Sequence, residues 1–120
     1  MTNDLKFDLE ERTLKFAKKI IEFCQKIPKN PVTIPLISQL VRAGTSVGAN
    51  YREANEALSK KDFTHRIRIS RKEAKESRYW LLLITETWPQ SKSEAIPLLN
   101  EAKEFVLIFS KIINSCDRRK

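Results

Sequence analysis

A group of basic residues between residues 60 and 78 is the first candidate for a functional site. They recur at alternating intervals of four and three residues, the spacing of one α-helix face: Lys61, His65, Arg68, Lys72 and Lys75, with Arg71 and Arg78 alongside. This segment holds eight basic and three acidic residues, a net charge of +5 within a whole-chain charge of +8. Because phosphate neutralisation releases counterions regardless of base sequence, the spacing predicts a face that binds RNA or DNA.

Two alternatives compete with binding by this face. The cations could form an ordinary solvated surface with local Glu/Lys pairs, or the chain could be a structural or protein-interaction scaffold without nucleic-acid binding. Exposure separates the predictions, because a binding row faces solvent whereas a scaffold pairs or buries its cations. Trp and Tyr are not interleaved with the row as stacking platforms, which argues against a single-strand binder.

A second polar row lies in the preceding segment and consists of Arg42, Ser46, Asn50 and Glu53. If the two segments form a helical hairpin that folds near Ser59, Arg42 faces Glu76. By the same rule Glu53 faces Arg66. We interpret this row, together with Glu76, as structural, with ion pairs that fix the register of the two helices. A ligand-binding row is the alternative.

Paired carboxylates raise the question of a metal. Glu53/Glu56 and Glu73/Glu76 have the Glu-x-x-Glu spacing with which all-helical nucleotide pyrophosphatases hold Mg²⁺. The hairpin, however, offsets the two pairs by about 10 Å along the axis, too far to share one ion. His65 could belong to a di-iron motif, but it is the only histidine. We therefore predict no catalytic residue, no metal and no cofactor, with a Mg-dependent nucleotide pyrophosphatase as the remote alternative.

The composition predicts one helical domain over residues 1–120. Hydrophobic residues make up 41% and charged residues 32%, as in globular proteins, and only 2 Gly and 5 Pro occur. Cys24 and Cys116 fall on apolar stripes, so we expect buried, reduced thiols at opposite ends of the fold. The N-terminal sequence has no signal-peptide core and no apolar run could span a bilayer, so we expect a cytoplasmic protein without a membrane partner.

Four amphipathic segments, at about 8–27, 33–58, 60–88 and 93–116, predict an all-α, antiparallel up-down-up-down four-helix bundle. Asp8, Thr33 and Ser59 are the expected caps. Gly44 and Gly48 lie one turn apart within the second segment, where each costs about 1 kcal/mol relative to Ala. We infer that they allow a neighbouring helix to approach closely.

Heptad-like seams predict the core. The second segment offers Ile37, Val41, Gly44, Gly48, Tyr51, Asn55 and Leu58; the third offers Phe63, Ile67, Ser70, Ala74, Ser77, Leu81, Ile84 and Trp88; the fourth offers Ala95, Leu99, Ala102, Val106, Phe109, Ile113 and Cys116. The first and fourth segments carry further apolar stripes, including Leu14, Ala17 and Ile21 in the first, and Leu98, Phe105, Ile108 and Ile112 in the fourth. A homo-oligomer is the simplest cover for this surplus.

The central segments also carry a recurring set of residue types: Gln39, Leu40, Arg42, Ala43, Ser46, Asn50, Glu53, Asp62, Phe63, Glu73, Ala74, Glu76, Tyr79, Trp80 and Leu81. In this set the chain resembles the four-helix-bundle family of 23S rRNA-intervening-sequence proteins, over about residues 10–116. The resemblance implies a homopentamer. It also implies a fold similar to the accessory protein of diversity-generating retroelements, a basic pentameric barrel that binds nucleic acid and a reverse transcriptase. It carries over no catalytic residue.

We therefore expect a non-enzymatic, basic, homo-oligomeric bundle in which the third helix binds RNA or DNA without sequence preference. Such a protein would act as an accessory to a nucleic-acid machine, with a reverse transcriptase or another protein as a further partner.

Overall fold

The computed structural model describes residues 3–118, with side chains from Leu5 onward. The four helices are α1 (Asn3–Lys26), α2 (Thr33–Asn55), α3 (Lys60–Thr87) and α4 (Lys92–Arg118), and a single 3₁₀ turn, Pro89–Ser91, joins α3 to α4. No strand occurs among residues 3–118. The predicted all-α, four-helix architecture is confirmed. Arg119 and Lys120, the end of the basic C-terminal tail, lie outside the described residues.

Residue pairs between neighbouring helices show that each helix runs antiparallel to the next. From α2 to α3 the partner number falls as the residue number rises: Arg42 pairs with Glu73, Val47 with Ser70 and Asn50 with Arg66. α1 packs against α2, α2 against α3 and α3 against α4, and a smaller contact between α1 and α4 closes the bundle. Among the described residues no Cα atom of α1 lies within 8 Å of one in α3, so these two helices occupy diagonal corners of the bundle.

The ends of the helices differ in part from the predicted ones. The capping box at Asp8 is wrong, since α1 begins five residues earlier and the fully buried Leu9 extends its apolar face. α2 ends at Asn55, and Leu58 is fully exposed beyond it. Ser59 is the predicted N-cap of α3, where its hydroxyl accepts a hydrogen bond from the Asp62 N–H at 3.0 Å.

Thr33, the expected cap of α2, plays a different role. It is buried, and its hydroxyl donates to the Pro28 carbonyl at 2.6 Å and accepts from the Asn30 N–H at 3.0 Å. The Asn30 side chain instead accepts from the N–H groups of Val32 and Thr33, each at 2.9 Å. The start of α2 is thus satisfied by an Asn three residues upstream, as in Asx turns.

An aromatic cluster forms the middle of the core. Phe16 and Phe105 meet edge to face with ring centroids 5.4 Å apart, and Phe109 stacks between Phe105 and Tyr51, at 6.0 Å from each. The aromatic quadrupole favours such edge-to-face and offset arrangements. Every one of these four rings is at most 2% exposed.

The seam of α3 lies where the heptad spacing placed it, since Ile67, Ser70, Ala74, Ser77, Leu81 and Ile84 are buried, while Phe63 and Trp88 are partly so. The predicted seam of α2 is partly wrong. Leu40, Val47 and Ala54 are buried in place of Ile37, Val41 and Asn55. The physical reason is that Gly44 and Gly48 contact α1. The side of α2 that faces the core is therefore centred one residue away from the predicted seam.

In α4 the same one-position difference occurs, with Leu98 and Phe105 buried in place of Leu99 and Val106. Cys24 is buried as expected, whereas Cys116 is only half-buried; both thiols are free. No helix in the described part of the chain is long and apolar enough to cross a membrane.

Candidate nucleic-acid interface

The exposed side of α3 carries a row of basic side chains that we call the basic face: Lys61, His65, Arg68, Lys72 and Lys75. All five are exposed to solvent. They face away from the bundle because the opposite side of α3 buries the seam that runs from Ile67 to Ile84. Neighbours three and four residues apart on a helix stand about 5–6 Å apart, so the basic face forms a continuous strip of positive charge.

The flanking arginines lean onto α4 instead of pointing straight outward. The guanidinium of Arg71 donates to Ser110 Oγ at 3.3 Å, and that of Arg78 donates to the Leu99 carbonyl, also at 3.3 Å. Both residues are half-buried. Arg68, although exposed, has an ion pair with Asp117 at 3.5 Å. Because both partners of that pair are exposed, it should be weak and easily exchanged for another anion.

Two exposed apolar side chains continue the basic face toward the C-terminal end of α3. Tyr79 and Leu82 extend the same four-three spacing beyond Lys75, and they are 56% and 50% exposed. The Tyr79 ring meets Trp80 edge to face, with centroids 5.0 Å apart. Tyr79 is not interleaved with the row but follows it at one end, and extending the interval past Lys75 would have found it.

The polar row of α2 forms a chain of hydrogen bonds along the α2–α3 seam. Ser46 donates to the Arg42 carbonyl at 2.6 Å, and Asn50 donates to the Ser46 carbonyl at 3.0 Å. Arg66 then donates to Asn50 Oδ1 at 3.3 Å. The predicted pair of Glu53 with Arg66 is wrong, because Arg66 reaches Asn50 one turn earlier and Glu53 is exposed.

Arg42 bridges two carboxyl groups of α3. It contacts Glu76 at 3.5 Å, the predicted partner, and Glu73 more closely, at 2.8 Å. Glu73 is only 5% exposed, and burial raises the pKa of its carboxyl group. A hydrogen bond with Glu76 also raises that pKa, while the charge of Arg42 opposes both effects.

Each carboxyl group of the Glu73 and Glu76 pair has one buried oxygen without a hydrogen-bond donor among residues 5–118. These atoms are Oε1 of Glu73 and Oε2 of Glu76. Two ionised carboxylates have no donor between them, so a bond between these oxygens forms only when one group is protonated. The indole N–H of Trp80, one turn beyond Glu76, is likewise buried without a partner in this part of the chain.

Carboxylates elsewhere do not assemble into a metal centre. Within the described residues no group of three or more His, Cys, Asp or Glu side chains could hold a metal ion. Glu53 is exposed on α2, Glu56 is exposed just beyond the end of that helix, and Arg42 contacts both Glu73 and Glu76. Among the described residues, the two Glu-x-x-Glu pairs therefore do not form one cluster of ligands.

Gly44 and Gly48 lie at the contact between α2 and α1. A Cβ on Gly44 would lie 3.0 Å from side-chain carbons of Ile20, and a Cβ on Gly48 would lie 2.8 Å from Thr13 Oγ1. The inferred close approach of a neighbouring helix is therefore present. It occurs within one chain, so this glycine pair does not contribute to an oligomer interface.

Comparison with known proteins places this geometry in context. Residues 6–111 match the sequence model of a family described as 23S rRNA-intervening sequence protein. A crystal structure from Bacteroides thetaiotaomicron, described as a protein with unknown function from the S23 ribosomal protein family, is similar at 32% sequence identity and a TM-score of 0.79. The similarity covers 87% of this chain and 96% of that one. No curated protein matches the sequence.

Proposed function

This chain belongs to the 23S rRNA-intervening sequence protein family, and from its basic face we propose that it binds RNA or DNA without sequence preference, as a homo-oligomer. The observation that carries the proposal is the exposure of all five basic residues of the basic face on one side of one helix. A row of this kind can follow a phosphate backbone. Phosphate contacts position a nucleic acid but carry no base sequence, so the binding would be sequence-tolerant and salt-sensitive.

RNA is the first ligand to test, because the family description names 23S rRNA. The proposal treats DNA as a second ligand, since duplexes of both kinds present phosphates to a row of cations. In this proposal the protein works as an accessory of a larger nucleic-acid machine, of which a reverse transcriptase is one candidate partner. We propose no catalytic role, because the buried carboxyl pair is engaged by Arg42.

Exposed apolar side chains on two helices support the proposal that the chain forms an oligomer. Two separate apolar patches stay exposed on the bundle. One is the heptad-spaced row Phe7, Leu14 and Ile21 on α1, which we call the α1 stripe; the other is Ile96 and Leu107 on α4, three helical turns apart. Two unlike patches suit a head-to-tail interface, which forms a ring when the rotation between subunits closes. The number five comes from the resemblance to the family.

Assembly through the α1 stripe would leave the basic face free. α1 and α3 lie at diagonal corners of the bundle, so an interface on α1 does not cover α3. Each subunit of a ring would then present one basic face, and several weak contacts to one nucleic acid would add by avidity.

A scaffold without nucleic-acid binding is the second candidate. It is favoured by Arg71 and Arg78, whose guanidinium groups are engaged by α4 and are half-buried. If these contacts represent the main use of the basic residues, the protein stabilises its own fold with them and meets a protein partner elsewhere.

A salt titration separates the two candidates. We would measure the affinity for a labelled duplex DNA and a labelled rRNA fragment at several salt concentrations. Each phosphate contact should add about 0.9 to the slope of log K against log salt on duplex DNA. Replacing Arg68, Lys72 and Lys75 with Glu should lower both the affinity and this slope.

The matched control replaces three exposed lysines on other helices, Lys15, Lys92 and Lys103, with Glu. It changes the net charge equally but leaves the basic face intact, so it should weaken binding much less. Equal losses in the two triple variants would show that binding follows net charge and not this face. A folded wild-type protein that binds neither probe at low salt would establish the scaffold.

A further inference from the structure

We infer that the nucleic acid taken by the basic face is a junction at which a duplex continues as an unpaired strand, with Tyr79 stacked on the first unpaired base. This inference rests on the proposed function and specifies its ligand. It starts from the position of Tyr79 on the same exposed side of α3 as the basic face, four residues beyond Lys75.

The arrangement has a definite length. At 1.5 Å per residue, the basic face spans about 21 Å along α3 from Lys61 to Lys75, and Tyr79 stands about 6 Å further on. A nucleic acid lying along the helix therefore meets cations first and the aromatic ring at one end. Leu82 follows Tyr79 on the same side and adds an apolar surface.

The Tyr79 ring is available for stacking, and its contact with Trp80 holds it in position. More than half of the residue is exposed, and its ring packs edge to face on Trp80, at a centroid distance of 5.0 Å and an interplanar angle of 75°. The Trp80 side chain is itself half-buried against the bundle. The core does not account for Tyr79, because the buried seam of α3 uses Ala74, Ser77 and Leu81 in this region.

The chemistry of the ring selects an unpaired base. In a duplex both faces of each internal base are already stacked on neighbouring bases, whereas an unpaired base offers a free face to an aromatic side chain. Stacking tolerates any sequence, because every base has a π-face. Cations over the duplex backbone and one ring beyond it therefore match a duplex end that continues as a single strand.

Four labelled probes with the same duplex test this inference, each made as RNA and as DNA. The first is blunt, the second carries a short single-stranded extension, the third carries an abasic extension with the same phosphates, and the fourth is the single strand alone. The variants are Tyr79→Ala and Tyr79→Phe. Leu58→Ala removes a fully exposed apolar side chain that lies outside both the basic face and the α1 stripe, and is the control.

We expect the wild type to bind the probe with the normal extension about tenfold more tightly than the abasic one, as one stacked base provides. Tyr79→Ala should lose this preference and keep its affinity for the blunt duplex. Tyr79→Phe and Leu58→Ala should keep the preference. RNA and DNA probes should behave alike, since stacking does not use the 2′-hydroxyl.

Three results would overturn the inference alone. The wild type could bind the normal and abasic extensions equally, Tyr79→Ala could retain the preference, or light scattering could show that Tyr79→Ala dissociates an oligomer, which would place Tyr79 in a subunit interface. Failure of the wild type to bind any of the four probes would instead overturn the proposed function together with this inference.

Discussion

Thr13 of α1 occupies the space next to Gly48 of α2 in which any other residue would place its Cβ. An added Cβ at residue 48 would lie 2.8 Å from Thr13 Oγ1 and 3.0 Å from Thr13 Cβ. Thr13 cannot move aside easily, because it is fully buried and its hydroxyl donates to the Leu9 carbonyl at 2.8 Å. The spacing between α1 and α2 thus depends on the missing side chain of Gly48.

Replacing Gly48 with Leu should therefore destabilise the bundle by about 1–3 kcal/mol or more, since overpacking forces the backbones apart. Thermal melts would measure the change. Ala49→Leu, at an exposed position of the same helix, is the matched control and should melt close to the wild type. If Gly48→Leu melts at or above the wild-type temperature, the contact between Thr13 and Gly48 does not set the helix spacing.

Much of the fold follows from sequence spacing, but its details depend on which helix each face meets. The α3 seam could be predicted because that helix has a clean four-three pattern from Ile67 to Ile84. The predicted α2 seam differs from the observed one because spacing alone does not reveal that Gly44 and Gly48 contact α1. The start of α1 was missed because Asp8 imitates a cap, although the buried Leu9 continues the helix face.

The candidate site was predictable in part for similar reasons. The cations of the basic face could be placed on one side of a helix from their spacing, and they are exposed there. The burial of Glu73 could not be foreseen, because a glutamate is rarely buried unless it is paired, and the pairing with Arg42 appears only once the helices are packed.

The buried Glu73 carboxyl group should make stability depend on pH. Its pKa is raised in the folded protein, chiefly by burial, so the folded state binds this proton more tightly than the unfolded state. Its contribution is therefore fully present below the ordinary glutamate pKa and is lost as pH rises toward the raised folded value. Two charged groups lie next to Glu73: the guanidinium group of Arg42 on α2, and the carboxyl group of Glu76 on α3 itself.

Glu73→Gln should remove this dependence. The amide resembles the protonated carboxyl group, can donate to Glu76, and leaves Glu76 as the partner of Arg42. We expect the variant to exceed the wild type in stability at neutral pH and to approach it as the pH falls toward 4.5. Denaturant melts across this range would measure the difference, with Glu86→Gln, an exposed position of α3, as the control. A pH-independent difference between Glu73→Gln and wild type would contradict the argument.

The two cysteines should react at very different rates with a thiol reagent. Cys24 is 4% exposed, and burial raises the pKa of its thiol to about 11, so little thiolate forms at neutral pH. Cys116 is half-buried near the end of α4. We expect mass spectrometry to show one rapid modification, at Cys116, and a second only after denaturation. Equal rates for both thiols in native buffer would show that the packing around Cys24 opens readily.

The last prediction concerns self-association through the α1 stripe. Phe7, Leu14 and Ile21 lie seven residues apart on α1, and each is 38–58% exposed. Apolar rows of this kind on a small protein commonly mark an interface. Light scattering at micromolar concentration should therefore give a mass several times the 14.0 kDa of one chain.

Two substitutions to Glu in this stripe should dissociate the oligomer without unfolding the subunit. Leu14→Glu with Ile21→Glu would bury two charges in the interface, whereas in the free bundle both positions reach solvent. The variant should run as a monomer and keep its helical circular dichroism. Leu58→Glu, at a fully exposed position between α2 and α3, is the control and should not change the mass.

A monomeric wild type would refute self-association. A double variant that keeps its full mass would place the interface elsewhere, with the α4 patch of Ile96 and Leu107 the next to test. A dimer or tetramer would leave the α1 interface in place and refute only the pentamer.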